Sequence, residues 1–103
     1  MELTSKQRRW LRGQAHGLEA LVQVGKGGLS EGLINQTIEA LARHELIKVR
    51  FVADRPERGE QALALAAATG AEVAGSIGRV AILYRAMDDA AKRRYRFPAN
   101  TNR

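Results

Sequence analysis

A glycine loop beside a predicted helix start is the part of the sequence best suited to chemistry. Gly25, Lys26, Gly27 and Gly28 form a Gly-x-x-Gly motif between a short β-like run and that helix. Glycine lets a backbone bend and approach a ligand closely, and a helix start offers free N–H groups and partial positive charge. The loop amides and the Lys26 ammonium could therefore contact phosphates. The alternative is a tight turn in which the glycines serve only the backbone angles.

The loop differs from two better-known phosphate-binding motifs. No Gly-Lys-Ser/Thr triplet follows a four-residue spacer, which excludes a Walker A loop. Ser30 stands where a dinucleotide-binding fingerprint would have its last glycine. A second Gly-x-x-Gly, Gly75 to Gly78, lies between two predicted strands, and we interpret it as a hairpin turn. Arg79, beside that turn, could still touch phosphate.

Other cations could extend a phosphate-binding surface. They are Lys6, Arg8, Arg9 and Arg12 on a predicted N-terminal helix, and Lys48, Arg50 and Arg85 on predicted strands. The helical group has no acidic residue among its members, which favours phosphate contacts. The strand group points away from an apolar face, so it would form an open platform for RNA if the helices cover the other face. The alternative for each group is a solvated surface.

The sequence shows no reactive constellation. His16 and His44 are the only histidines, and no second residue stands at a metal-ligand spacing from either. No nucleophile and base are suggested by spacing, and the absence of Cys excludes disulfides, thiolate zinc sites and cysteine nucleophiles. We therefore predict no catalytic residue, no metal, no cofactor and no enzymatic activity. The lack of Cys also fits a reducing cytoplasm.

The charge balance indicates a polyanionic partner. The chain of 103 residues has 17 Lys+Arg against 11 Asp+Glu, a net charge of +6 and a pI near 10.5. Such an excess attracts nucleic acid by long-range attraction and counterion release. An anionic protein or a membrane surface is the alternative. No apolar stretch is long enough to span a bilayer, and the N-terminus does not resemble a signal peptide.

Hydrophobic periodicity predicts one α/β domain with the order α-β-α-β-α-β-β and the helices on one face of the sheet. The predicted elements are a helix from Thr4 to about Ala15, a strand Ala20 to Val24, a helix capped by Ser30, a strand Leu46 to Ala53, a helix capped by Asp54 and ended by Gly70, and strands Glu72 to Ala74 and Arg79 to Arg85.

Residues 87–103 do not continue this pattern. They form a basic tail in which Lys92, Arg93, Arg94 and Arg96 alternate in part with Tyr95 and Phe97. We predict that this tail is mobile unless a partner holds it.

Several runs together resemble a known RNA-binding domain. They are the opening Leu3 to Arg8, then Leu18 with Val22 to Gly32, His44 to Arg50 and Ile77 to Arg85. In this order and spacing they resemble the CRM domain, named for chloroplast RNA splicing and ribosome maturation, whose single-domain bacterial form is the YhbY family. The resemblance covers residues 2–86 and leaves the tail unmatched.

The resemblance implies a fold similar to the C-terminal domain of translation initiation factor three, with a four-stranded mixed sheet. It also implies RNA binding without catalysis and, in bacteria, association with precursors of the large ribosomal subunit in the cytoplasm. The family's Gly-x-x-Gly loop, likened to that of KH domains, falls on Gly25 to Gly28. A KH loop clamps a nucleic-acid backbone, which agrees with the interpretation from the residues.

Overall fold

The structure, a computed structural model, describes residues 2–102. It contains three helices and one four-stranded sheet in the predicted order. The elements are α1 (Ser5–Gln14), β1 (Ala20–Val24), α2 (Glu31–His44), β2 (Leu46–Phe51), α3 (Glu57–Thr69), β3 (Glu72–Ile77) and β4 (Val80–Tyr84). The strands lie in the order β1-β2-β4-β3, with β1 parallel to β2 and the other neighbours antiparallel. The predicted α/β fold with a mixed sheet is confirmed.

Local capping explains where the first two helices begin. Thr4 and Gln7 form the predicted capping box, in which each side chain bonds the other residue's backbone N–H. The Ser30 hydroxyl accepts from Leu33 N–H at 3.1 Å and so caps α2. The predicted Asp54 cap is wrong, because α3 begins after Pro56 without a side-chain cap. The Asp54 carboxylate instead pairs with the Arg79 guanidinium.

The helices do not all lie on one face of the sheet, contrary to the prediction. Helices α2 and α3 cover one face through a core that includes Leu41, Val49 and Leu65. Helix α1 packs on the opposite face, where Leu11 joins Ile82 in a second core. The reason lies in the central strands β2 and β4, which carry apolar side chains on both faces and therefore need cover on both.

The β3–β4 hairpin is tighter than predicted. Strand β3 continues to Ile77, which pairs with Val80, so Gly78 and Arg79 alone form the turn. Gly78 has a φ of +57°, a conformation that two-residue hairpin turns require and glycine adopts without strain. Gly75 lies inside the strand at a register shift, not in the turn.

The tail that the sequence predicted to be mobile is docked in the structure. Two 3₁₀ turns, Ala90–Lys92 and Ala99–Thr101, follow β4. Between them, Phe97 packs edge-on against Trp10 and Tyr84, with ring centroids 5.4 and 5.6 Å apart. Farther on, the Thr4 hydroxyl donates to the Thr101 carbonyl at 2.7 Å. The tail thus completes the core on the α1 face.

Candidate nucleic-acid interface

The Gly25–Gly28 loop is an exposed turn between β1 and α2. Gly28 N–H donates to the Gly25 carbonyl at 3.1 Å, and Gly28 has a φ of +70°. Gly25, Lys26 and Gly27 are exposed, and a Cβ added at Gly25 or Gly27 would meet no atom within 4 Å. Packing therefore requires neither glycine, whereas the backbone angles do favour glycine at position 28. The open backbone is accessible to a ligand.

The loop leads into the positive end of α2. Ser30 satisfies one of the first amides of this 14-residue helix, and the helix dipole adds partial positive charge there. Glu31 in the first turn partly offsets that charge, while the Lys26 ammonium stands exposed in the loop. This arrangement suits a phosphate group approaching from solvent.

Beside the loop, part of the sheet is left open by α1. Arg50 of β2 pairs with Gln23 of β1, and Gln23 lies two residues before the loop begins. Together with Lys48, Ile77 and Leu18, they line a groove of about 860 Å³ on the α1 face. Ile77 is 64% exposed and Leu21, in the same groove, is 48% exposed. Cations and exposed apolar side chains thus share one concave surface.

Arg12 reaches the same face from α1. Its side chain lies over Gly75, where an added Cβ would stand 2.4 Å from Arg12 Cδ. Its Nη1 donates to the Ala74 carbonyl at 3.1 Å. Gly75 pairs with Ile82, and Ile82 pairs with Lys48, so Arg12 and Lys48 lie in one row across the sheet. Lys48 Nζ in turn donates to the His16 carbonyl at 3.4 Å.

Arg79 is at the loop end of the sheet, but its guanidinium has protein partners. Nη1 donates to the Val52 carbonyl at 2.7 Å and to the Ala53 carbonyl at 3.2 Å, and Nη2 pairs with Asp54. These bonds tie the β3–β4 turn to the segment after β2. The geometry gives Arg79 a structural role, although its side chain is still half exposed.

The remaining predicted residues lie away from the loop. Lys6, Arg8 and Arg9 are on α1, which packs chiefly on β3 at the far edge of the sheet. Three strand spacings, about 14 Å, separate β3 from β1. Arg85 lies at the opposite end of the strands, beside Gly70. The structure therefore brings Lys26, Lys48 and Arg50 to one region. Lys6, Arg8, Arg9 and Arg85 lie outside it.

Comparison with known proteins gives the family. A family model described as the CRS1 / YhbY (CRM) domain matches residues 3–85. This chain belongs to the CRM domain family. It is 40% identical over 84 residues to "Probable RNA-binding protein YqeI" of Bacillus subtilis, and the matched region covers 81% of this chain and 88% of that protein. It is 38% identical over 89 residues to "RNA-binding protein" of Haemophilus influenzae, covering 85% and 90%.

A solved structure shows the same CRM fold. The solution structure of SAV1595 from Staphylococcus aureus superposes with a TM-score of 0.78 at 37% identity, covering 86% of this chain and 94% of that one. The similarity to RNA-binding relatives also favours a non-enzymatic role for this CRM domain. Within residues 2–102, no helix has the length and apolarity to cross a membrane.

A buried carboxylate ties the tail to this CRM domain, and the sequence analysis missed it. Glu45 is fully buried and has a φ of +67°. Its Oε1 accepts from the backbone N–H of Arg94 at 2.8 Å and of Tyr95 at 2.9 Å, and its Oε2 accepts from Met87 N–H at 2.9 Å. Burial raises the pKa of Tyr84 to about 12, and the nearby Glu45 carboxylate adds to the rise while Arg93 opposes it.

One sequence signal could have indicated the docked tail. In the run Arg94-Tyr95-Arg96-Phe97, charged and aromatic residues alternate, as in a half-buried extended segment. Both aromatic residues are half-buried in the structure, while both arginines are exposed. The position of Glu45 carried no such signal, because a single acidic residue between a helix and a strand is usually exposed.

Proposed function

We propose that this protein binds RNA without catalysis and associates with precursors of large-subunit ribosomal RNA during ribosome assembly in the cytoplasm. Gly25 to Gly28 grip the phosphate backbone, and Lys48 and Arg50 widen the positive surface. The function needs no cofactor, no metal and no membrane. The observation that carries the proposal is the exposed glycine loop at the start of α2, next to the open cationic groove.

Three further features support RNA as the partner. The relatives at 35–40% identity carry RNA-binding in their names. The net charge of +6 favours a polyanion. The groove offers cations and aliphatic side chains without an aromatic ring among the residues that line it. Recognition of backbone and shape fits this surface better than base stacking does.

The more distant cations have a secondary place in the proposal. Lys6, Arg8 and Arg9 add long-range attraction from α1, and Arg12 adds its remaining guanidinium N–H groups on the same face of the sheet as the groove. Arg85 and Arg79 contribute to the net charge, and Arg79 also holds the turn beside the loop.

Salt-titrated binding to a structured fragment of large-subunit ribosomal RNA tests the loop. Lys26→Ala should weaken binding and lower the slope of log K against log salt by up to about one unit, because one phosphate contact is lost. Arg43→Ala is the matched control, since this exposed cation lies at the other end of α2, about 18 Å along the helix axis from its start. Equal slopes for Lys26→Ala and the wild type would refute the loop's role.

In-cell crosslinking of the tagged protein, followed by sequencing of the attached RNA, tests the biological target. Reads concentrated in one region of large-subunit ribosomal RNA or its precursor support the assembly role. Reads that follow transcript abundance reduce the function to general RNA binding. Negligible RNA binding at physiological salt would instead favour the alternative, an acidic protein docked on the basic face.

A further inference from the structure

The docked tail holds a second set of cations in fixed positions. Its exposed basic residues are Lys92, Arg93, Arg94 and Arg96. The backbone around Arg94 is fixed by the bonds from Arg94 N–H and Tyr95 N–H to the buried Glu45 carboxylate. The Tyr95 ring also contacts Trp10 edge-on, with centroids 6.5 Å apart. Arg94 is therefore presented from an ordered backbone and not from a free chain end.

Arg94 faces a groove that continues the one beside the glycine loop. This second groove, of about 210 Å³, is lined by Arg94, Tyr95 and His44 together with residues that precede and begin β1. The two grooves share Leu18, Glu19 and Leu21. One continuous concave path thus runs along β1 and β2 from the loop end of the sheet to the tail.

We propose that the tail extends the RNA-binding path, with Arg94 contacting a phosphate of a single RNA strand that runs from the Gly25–Gly28 loop along both grooves. The proposal rests on the proposed function, because it assigns the far end of the same surface. Arg94 lies outside residues 3–85, the part of the chain that matches the family model.

The dimensions and charges of the path fit such a strand. From Phe51 to Leu46, β2 covers about 17 Å, which is long enough for several nucleotides of one RNA strand. Arg50 and Lys48 lie along this length, and Arg94 is at its end. Glu19 is the acidic residue that lines both grooves, and it should repel the passing backbone. The charge along the path is otherwise positive.

Binding of the full chain to a twelve-nucleotide oligouridine tests the path. Each phosphate contact to a single strand adds about 0.7 to the slope of log K against log salt, which amounts to about fourfold in affinity between about 1 M and about 0.15 M salt. Arg94→Ala should therefore lower affinity about fourfold at about 0.15 M salt. Glu19→Gln should raise affinity by a similar factor. Arg58→Ala is the charge-matched control, because Arg58 lines a groove on the α3 side of the sheet. The backbone bond from Arg94 N–H to Glu45 survives the alanine substitution, so the tail stays docked.

The outcomes separate this proposal from the proposed function. Loss of affinity in both Lys26→Ala and Arg94→Ala, with Arg58→Ala unchanged, supports the extended path. Loss in Lys26→Ala with no change in Arg94→Ala and Glu19→Gln overturns the path and leaves the loop's role intact. No binding of the wild-type chain to the oligouridine or to ribosomal RNA overturns both.

Discussion

Replacing Glu45 by glutamine should release the tail from the domain. The carboxylate is fully buried and accepts three backbone N–H groups, all from residues beyond β4. The side-chain oxygen of a glutamine can still accept from the backbone N–H groups of Arg94 and Tyr95. Its amide nitrogen, however, would point a donor at Met87 N–H, which is itself a donor. The change is nearly isosteric, so the effect isolates charge and hydrogen bonding from volume.

The expected loss of stability follows from these contacts. Hydrogen bonds to a charged group contribute about 1.5–3 kcal/mol each, and neutral ones about half of that. One bond lost and two weakened give about 3–6 kcal/mol if the tail stays in place. Undocking limits the loss, because the freed amides then bind water. We therefore expect the free energy of unfolding to fall by about 2–3 kcal/mol, equivalent to a Tm lower by roughly 10–20 °C.

Urea denaturation followed by Trp10 fluorescence measures this loss, since the single tryptophan contacts both Tyr95 and Phe97. Phe97→Ala should destabilise the same docked segment. The double variant should therefore lose less stability than the sum of the losses in the two single variants. Glu39→Gln, at an exposed position of α2, is the control and should change stability by less than about 0.5 kcal/mol. Additive losses, or unchanged stability in Glu45→Gln, would refute the tail anchor.

Two further predictions follow from single contacts. Gly75→Ala should leave the free energy of unfolding of the otherwise wild-type protein nearly unchanged. Replacing a strand glycine adds about 0.5–1 kcal/mol of stability, but the new Cβ displaces Arg12 from the Ala74 carbonyl and offsets that gain. In an Arg12→Ala background, thermal denaturation should show the gain in full. The pKa of Tyr84 is raised to about 12, above the value near 10 of an unfolded chain, so the folded protein retains a proton that the unfolded chain releases. The free energy of unfolding should therefore fall as pH rises from about 10 to about 12, and urea titrations should show a smaller fall in Tyr84→Phe.

Local signals in the sequence were sufficient for most element boundaries. Thr4 with Gln7, Ser30, and Gly70 each specify a helix end through bonds within a few residues, and all three act as predicted. Asp54 has the same kind of local signal, but it does not cap α3. Its carboxylate found a partner in Arg79, 25 residues away, which no local pattern encodes.

The face on which α1 packs could not be deduced locally. The thin apolar stripe of α1 predicts only that it docks somewhere, through Trp10 and Leu11. What decides the face is the second apolar set on the central strands, together with Tyr95 and Phe97 from the far end of the chain. Contacts at such sequence distance require the sheet order to be known first. For the same reason, the alternation in the tail could indicate a half-buried segment but not the face of the sheet on which it docks.

The two Gly-x-x-Gly motifs show why a short motif needs its surroundings before it can be interpreted. In the second motif, Gly75 leaves room for the Arg12 stem and Gly78 makes the turn, so the fold accounts for both glycines. In the first motif, the fold accounts only for Gly28. At Gly25 and Gly27 the space where a Cβ would stand is empty, so neither packing nor a positive φ explains glycine there. A ligand that approaches the backbone closely would explain it, and phosphate is the ligand that Lys26 and the start of α2 favour.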